Sequence, residues 1–172
     1  MLKTDIHPQF SYRLSECSDI SYGLFLRPEA DVGPDSIVSK LSGDQLSALT
    51  TEDKAGKLVL IAHVVSTRGR GPVVTDNDMA YPKNWRDLGA AKDLPLGHQE
   101  DGRTVCLHSL ALIPQAQGRQ LGKLTVLSYL RVMDDLKMCD RVALICQDVG
   151  HREYPLSQLG QSCRDGASSS YE

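Results

Sequence analysis

The sequence contains no apolar run approaching the roughly 18 residues that a membrane-spanning helix requires, so a membrane is not expected as a partner. It contains no C-x-x-C pair either. Its five cysteines, Cys17, Cys106, Cys139, Cys146 and Cys163, are odd in number and scattered. That pattern argues against a metal site or a disulfide framework and for reduced thiols. The opening "MLKTDIHPQF" holds no apolar stretch of the kind a secretory leader needs. Together these absences predict a cytoplasmic protein. A large excess of one charge is absent too: the formal net charge is -3 at pH 7, which leaves no electrostatic reason to expect nucleic acid as a partner. No internal repeat is visible, and nothing in the sequence indicates an oligomeric state.

What is present is a chain of 172 residues, about one domain's worth and long enough to bury a core without staples. We expect one domain over residues 1–150 and a Ser/Gly-rich, irregular tail over 151–172. "PQFSYRLSEC" suits one or two helical turns. "DISYGLFLR" (Asp19–Arg27) is apolar and aromatic, a strand stopped by Pro28. Residues 28–56 are rich in Asp, Gly, Ser and Pro, with a short helix expected near Asp44–Leu49 and Asp44 as its N-cap. The continuous apolar run from Leu58 to Val65 reads as a strand buried on both faces. A long stretch of little periodicity, about residues 67–103, follows as a loop.

The second half is more regular. "TVCLHSLALIP" (Thr104–Pro114) has strand spacing and ends on proline. Leu124, Leu127, Leu130, Met133 and Leu136 recur at helical spacing, predicting a helix from about Gln120 to Met138. "RVALIC" (Arg141–Cys146) is another strand. These three elements form a β-α-β unit whose crossover length suits a parallel pair.

The turn inside that unit carries the chemistry. A helix start offers unpaired N–H groups and the positive end of the dipole, and so favours an anion. Gly118 and Gly122 permit close backbone approach, while Arg119 and Lys123 add positive charge where the dipole disfavours it. Either an anion offsets that charge, or the turn is a solvated connection. It is not a P-loop, since no G-x-x-x-x-G-K-[ST] is present. Nor is it a dinucleotide fingerprint, for the glycine spacing is wrong.

The segment "HSLALIPQAQGRQLGKLTVLSYL" resembles the signature of the GCN5-related N-acetyltransferase (GNAT) superfamily, a strand followed by Q/R-x-x-G-x-G/A. Here the match is Gln117-Gly118-Arg119-Gln120-Leu121-Gly122, with Gln120 where the superfamily keeps a glycine. "FSYRLSECSDISYGLFLRP", "LIAHVVSTR", "VVTDNDMAYPKNW" and "LGHQEDGRTVCLHSLAL" extend the likeness to the arylalkylamine/polyamine branch, especially its fungal members, over most of residues 10–148.

The resemblance implies an α/β GNAT fold, with a mixed central sheet and a strand–turn–helix–strand unit that binds coenzyme A. It implies acetyl-CoA as co-substrate and a small primary amine as acceptor, either an arylalkylamine such as serotonin or a polyamine. In the family the strand before the turn is bulged and splays from its neighbour, and the pantetheine arm pairs with its backbone. That role falls to Leu110, Ala111 and Leu112, and pyrophosphate binding falls to Gln117, Gly118, Arg119, Gln120, Leu121, Gly122 and Lys123. The branch leads a proton away through two strand histidines. The second matches His108. The first falls on Cys106, a poorer base with its usual pKa of about 8.5. A tyrosine acid maps to Tyr154.

His63 reads as structural, and Tyr81 and Trp85 as loop anchors or as cover for an amine pocket. Asp76 and Asp78 are either solvated or attractive to a cationic amine, and His151 and Cys163 have no assigned role. The family's opening strand and helix and its closing two strands have no counterpart here. The resemblance therefore implies a form shortened at both ends, with weak or no activity. The alternatives are a coenzyme A-binding or acyl-CoA-binding domain without catalysis, and an acetyltransferase of protein amines.

Overall fold

The computed structural model describes residues 7–87 and 95–144. Its elements are α1 (Pro8–Glu16), β1 (Tyr22–Leu26), α2 (Gly43–Leu49), β2 (Thr50–Asp53), β3 (Gly56–Gly69), α3 (Asp76–Met79), β4 (Thr104–Leu112), α4 (Leu121–Leu136) and β5 (Arg141–Leu144). Among the described residues the strands join into one mixed sheet of order β1-β3-β4-β5, with β2 also paired to β3. The protein is therefore an α/β structure. β1, β2 and β4 run antiparallel to β3, and β5 runs parallel to β4, as the β4-α4-β5 crossover requires. No helix among the described residues is long and apolar enough to cross a membrane.

Several elements differ from the sequence expectation for identifiable reasons. The N-cap of α2 is Ser42, not Asp44. Its hydroxyl accepts from Gln45 N, and Gln45 Oε1 accepts from Ser42 N. This reciprocal box satisfies two orphan N–H groups at once, and it leaves Asp44 within the first turn, where its charge suits the dipole. β3 extends at both ends beyond Leu58–Val65, and its start pairs with the unforeseen β2 in a hairpin. Its later part includes Ser66 and Thr67, polar but fully buried. They stay in the ladder because their hydroxyls find partners: Ser66 with Tyr129 at 2.8 Å and Thr67 with His108 at 2.7 Å. The expected loop thus begins after Gly69. It contains one helical turn, α3, which is capped by Thr75 and Asp78.

Those two hydroxyl partners also fix the faces of the sheet. Ser66 points toward α4, so Thr67, its neighbour in an alternating strand, points away. On the α4 side Cys17, Ile20, Val64, Val105, Tyr129 and Met133 form one buried cluster. Ile37, Val59, Ile61 and Ala116 form a second, covered in part by Leu46 and Leu49 of α2. Each fully buried aliphatic side chain contributes about 1.5–3 kcal/mol against exposure.

α4 is shorter than the predicted Gln120–Met138 at both ends. Gln120 and Lys137 flank it with φ of 60° and 53°, left-handed conformations that a right-handed helix cannot include.

Candidate functional site

The site is built on β4 and on the turn that follows it. The β3–β4 register is regular from Gly69↔Thr104 to Ser66↔Leu107 and resumes at Val65↔Ser109. His108 is the extra residue, so β4 carries a β-bulge at that histidine. β5 pairs with β4 only over Thr104–Leu107. Beyond the bulge, the outer edge of Ser109–Leu112 has no strand partner among the described residues. Leu110 and Ala111 are exposed there, and Leu112 is half-buried.

After β4, one 3-10 turn (Pro114–Ala116) leads to Gln117. The N–H groups of Gly118, Arg119, Gln120, Leu121, Gly122 and Lys123 have no partner among the described residues, because the first helical bond is Leu124 N to Gln120 O. No side chain caps this end of α4. Gly118 adopts φ 75° with open space where a Cβ would sit, and Gly122 faces open space too. The turn is thus an exposed cluster of donors at the positive end of a 16-residue helix. Of its two cations, Arg119 is already engaged, its Nη2 donating to Asp35 O. Lys123 is exposed, and no carboxylate pairs with it among the described residues. Gln117 reaches back, its Nε2 donating to Leu112 O at 3.5 Å. This donor set suits a pyrophosphate, and the unpaired edge of β4 suits an extended amide-bearing arm.

Behind the strand lies a polar cluster on the face away from α4. His108 Nε2 meets Thr67 Oγ1, and its Nδ1 is buried with no partner among the described residues. Burial above all, and then the positive charge of Arg13, pushes the His108 pKa down to about 4, with Asp78 opposing. The imidazole is therefore neutral at pH 7. Cys106, opposite Thr67 in the register, is wholly buried, and burial raises its thiol to about 11. Its expected deficiency as a base is thus larger than its ordinary pKa implies. Tyr154, the other residue expected to handle a proton, falls outside the described residues, as do His151 and Cys163.

Two features of this cluster carry no plain sequence signal. Arg13 of α1 is buried at 6 % exposure, with Nη2 donating to Met79 O and Nε unpaired. His63 of β3, expected to be structural, is half-buried and holds Ser109 Oγ at 2.9 Å through Nε2.

The loop residues resolve more simply. Tyr81 and Trp85 pack around the buried ring of Tyr12 with centroids 6.0 and 5.8 Å away, which anchors the loop to α1. Trp85 also borders a cavity of about 260 Å³ with Tyr12, Glu16, Arg70, His98 and Asp101. The Asp78 carboxylate accepts from Thr75 N and Oγ1 at 2.7 Å each, so it caps α3 and is not an open cation site. Among the described residues no group of three His, Cys, Asp or Glu side chains stands close enough to hold a metal ion. Compared with known protein families and with curated proteins, the chain matches no family model and no curated sequence.

Proposed function

We propose that this chain is a GNAT-fold N-acetyltransferase that moves the acetyl group of acetyl-CoA onto a small primary amine, an arylalkylamine such as serotonin or a polyamine. The observation that carries the reading is a juxtaposition. Among the described residues, a strand bulged at His108 leaves an unpaired edge at Leu110–Leu112, and the next turn presents six unpaired N–H groups from Gly118 to Lys123. Gln120, in the place of the superfamily's glycine, holds the left-handed backbone that favours glycine. A backbone that suits glycine at this position supports the reading, although the residue is glutamine.

The turn's N–H groups and Lys123 would hold the pyrophosphate, and the edge of β4 would pair with the pantetheine amides. A β4 N–H pointing at the thioester oxygen would stabilise the oxyanion as the amine attacks. The amine must be neutral when it attacks, its C–N bond forming as the C–S bond breaks. The residue that resemblance assigns as acid, Tyr154, would protonate the departing thiolate. A cytoplasmic location fits both the reduced thiols and a soluble co-substrate.

A second reading rests on the protonation states. With the His108 pKa near 4 and the Cys106 thiol near 11, neither expected relay group is a good base at pH 7. That favours a coenzyme A- or acyl-CoA-binding domain without catalysis. One assay separates the readings. The protein is mixed with acetyl-CoA and tryptamine, serotonin, phenethylamine or spermine, and free thiol is followed. Thiol release with an amine supports the transferase, and binding without release supports the second reading. Release only with peptides points to an acetyltransferase of protein amines.

A further inference from the structure

A proton carrier needs an entrance and an exit. His108 has only one: its Nε2 is occupied by Thr67 Oγ1, and its Nδ1 is sealed from water without a partner. A proton that reached this ring would have no way out. His63 has both. Its Nε2 is 2.9 Å from Ser109 Oγ. Its Nδ1 makes no hydrogen bond to the described residues, and the ring as a whole is only half-buried, which leaves this nitrogen for exchange with water.

The strand register sets this pair beside the reacting region. His63 lies opposite Ala111, and Ser109 directly follows the bulge. The bulge turns His108 and Ser109, neighbours in sequence, to the same face of the sheet, where they meet Thr67 and His63 respectively. Without it Ser109 would face α4. Around His63, Phe10 of α1 packs edge-on at 6.2 Å, and Ser109 is the polar neighbour from β4. Burial alone depresses its basicity, with no charged side chain contributing.

We infer that the acceptor ammonium gives its proton to Ser109 Oγ while the serine hydroxyl proton passes to His63 Nε2, so that His63 is the terminal proton acceptor of the site. The inference rests on the acetyltransferase reading. The steps balance: the ammonium N–H bond breaks, and His63 becomes an imidazolium that releases Nδ1–H to water. The freed lone pair forms the C–N bond as the C–S bond breaks, and a second amine proton ends on the thiolate. Each transfer releases one proton to solvent. His108 and Thr67 are positioning residues that set the bulge.

The test compares His63→Gln, Ser109→Ala and His108→Gln by initial rates of thiol release with tryptamine and spermine between pH 6 and 10, and by calorimetric titration with acetyl-CoA. His63→Gln and Ser109→Ala should lower kcat about 100-fold at pH 7 and leave the acetyl-CoA KM nearly unchanged. The deficit should shrink toward pH 10, where the amine arrives deprotonated, and His108→Gln should lose less. A merely structural histidine would not move the pH profile in this way. If His63→Gln fails to fold, Ser109→Ala carries the test, since it removes a single oxygen. Wild-type kcat and pH profile in Ser109→Ala or in folded His63→Gln would overturn the inference and leave the transferase reading standing. A wild-type chain that binds acetyl-CoA but releases no thiol, or does not bind it, would overturn both.

Discussion

Gln120→Gly tests the turn on two independent scales. Gln120 has φ 60° and ψ 10°, and its side chain is exposed and makes no hydrogen bond among the described residues. Holding an L-residue in this conformation costs about 1–2 kcal/mol. Glycine removes that cost but adds about 0.5–1 kcal/mol of unfolded-chain entropy. The net gain is about 0–1.5 kcal/mol, a rise in Tm of up to about 6 °C at this chain size. For binding, the Gln120 side chain sits among the free N–H groups and must be ordered or displaced by a pyrophosphate. Sparing one such side chain is worth roughly 0.5–1.5 kcal/mol, or about 2- to 10-fold in acetyl-CoA affinity.

The control is Lys137→Gly at the other end of α4. It relieves a similar conformation, φ 53°, and loses only the exposed Lys137–Asp134 ion pair. It lies about 24 Å from the turn along the helix, so it should raise Tm and leave affinity unchanged. Gln120→Ala completes the set, because alanine keeps the backbone cost while shedding most of the side chain. Thermal melts and calorimetric titration with acetyl-CoA give both readouts. A lower Tm for Gln120→Gly would refute the strain argument. Unchanged or weaker acetyl-CoA binding would refute the placement of the pyrophosphate on this turn.

Three further outcomes are expected. Stability should be level between about pH 6.5 and 8 and fall from about pH 6.5 to pH 4, because the unfolded chain protonates His108 at its ordinary pKa while the fold delays this to about 4. The loss reaches about 3 kcal/mol, and His63 and His98 add in the same direction. Urea midpoints across that range check it, and a similar slope in His108→Gln would refute the assignment. Tyr129→Phe should cost about 1–3 kcal/mol: its hydroxyl donates to Ile20 O at 3.0 Å and pairs with Ser66 Oγ, all deeply buried. A change below 0.5 kcal/mol in urea titration, about the noise of such surface effects, would contradict that network. Finally, Cys17 and Cys106, with thiols pushed by burial to about 12 and about 11, should resist iodoacetamide at pH 8 until denaturant is added. Peptide mass spectrometry reads the result, and rapid native labelling of either would show that the core is open.

What could be read in advance followed from local rules. The period of Leu124, Leu127, Leu130 and Met133 made α4 visible, and Pro114 closed the strand before it. A crossover of that length leaves parallel pairing of β4 and β5 as the natural solution. Where side-chain identity competes with context, the reading stopped short. Ser42 beat Asp44 as a cap because Gln45 stands where it can reciprocate. Ser66 and Thr67 look like a strand end, but they continue β3 because Tyr129 and His108, distant in sequence, satisfy their hydroxyls.

The site divides along the same line. Unpaired N–H groups at the start of α4 follow from the order strand, glycine-bearing turn, helix, and the sequence alone determines that much. It also determines which residues the resemblance would assign to the acetyl-CoA backbone. The tertiary structure alone decides the left-handed conformation of Gln120, the bulge at His108, the sealing of one histidine and the opening of the other. Each depends on what the neighbouring strand and the covering helix present at that point. Solvation of a ring nitrogen and the register of a ladder are properties of several segments at once, and no single stretch of sequence carries them.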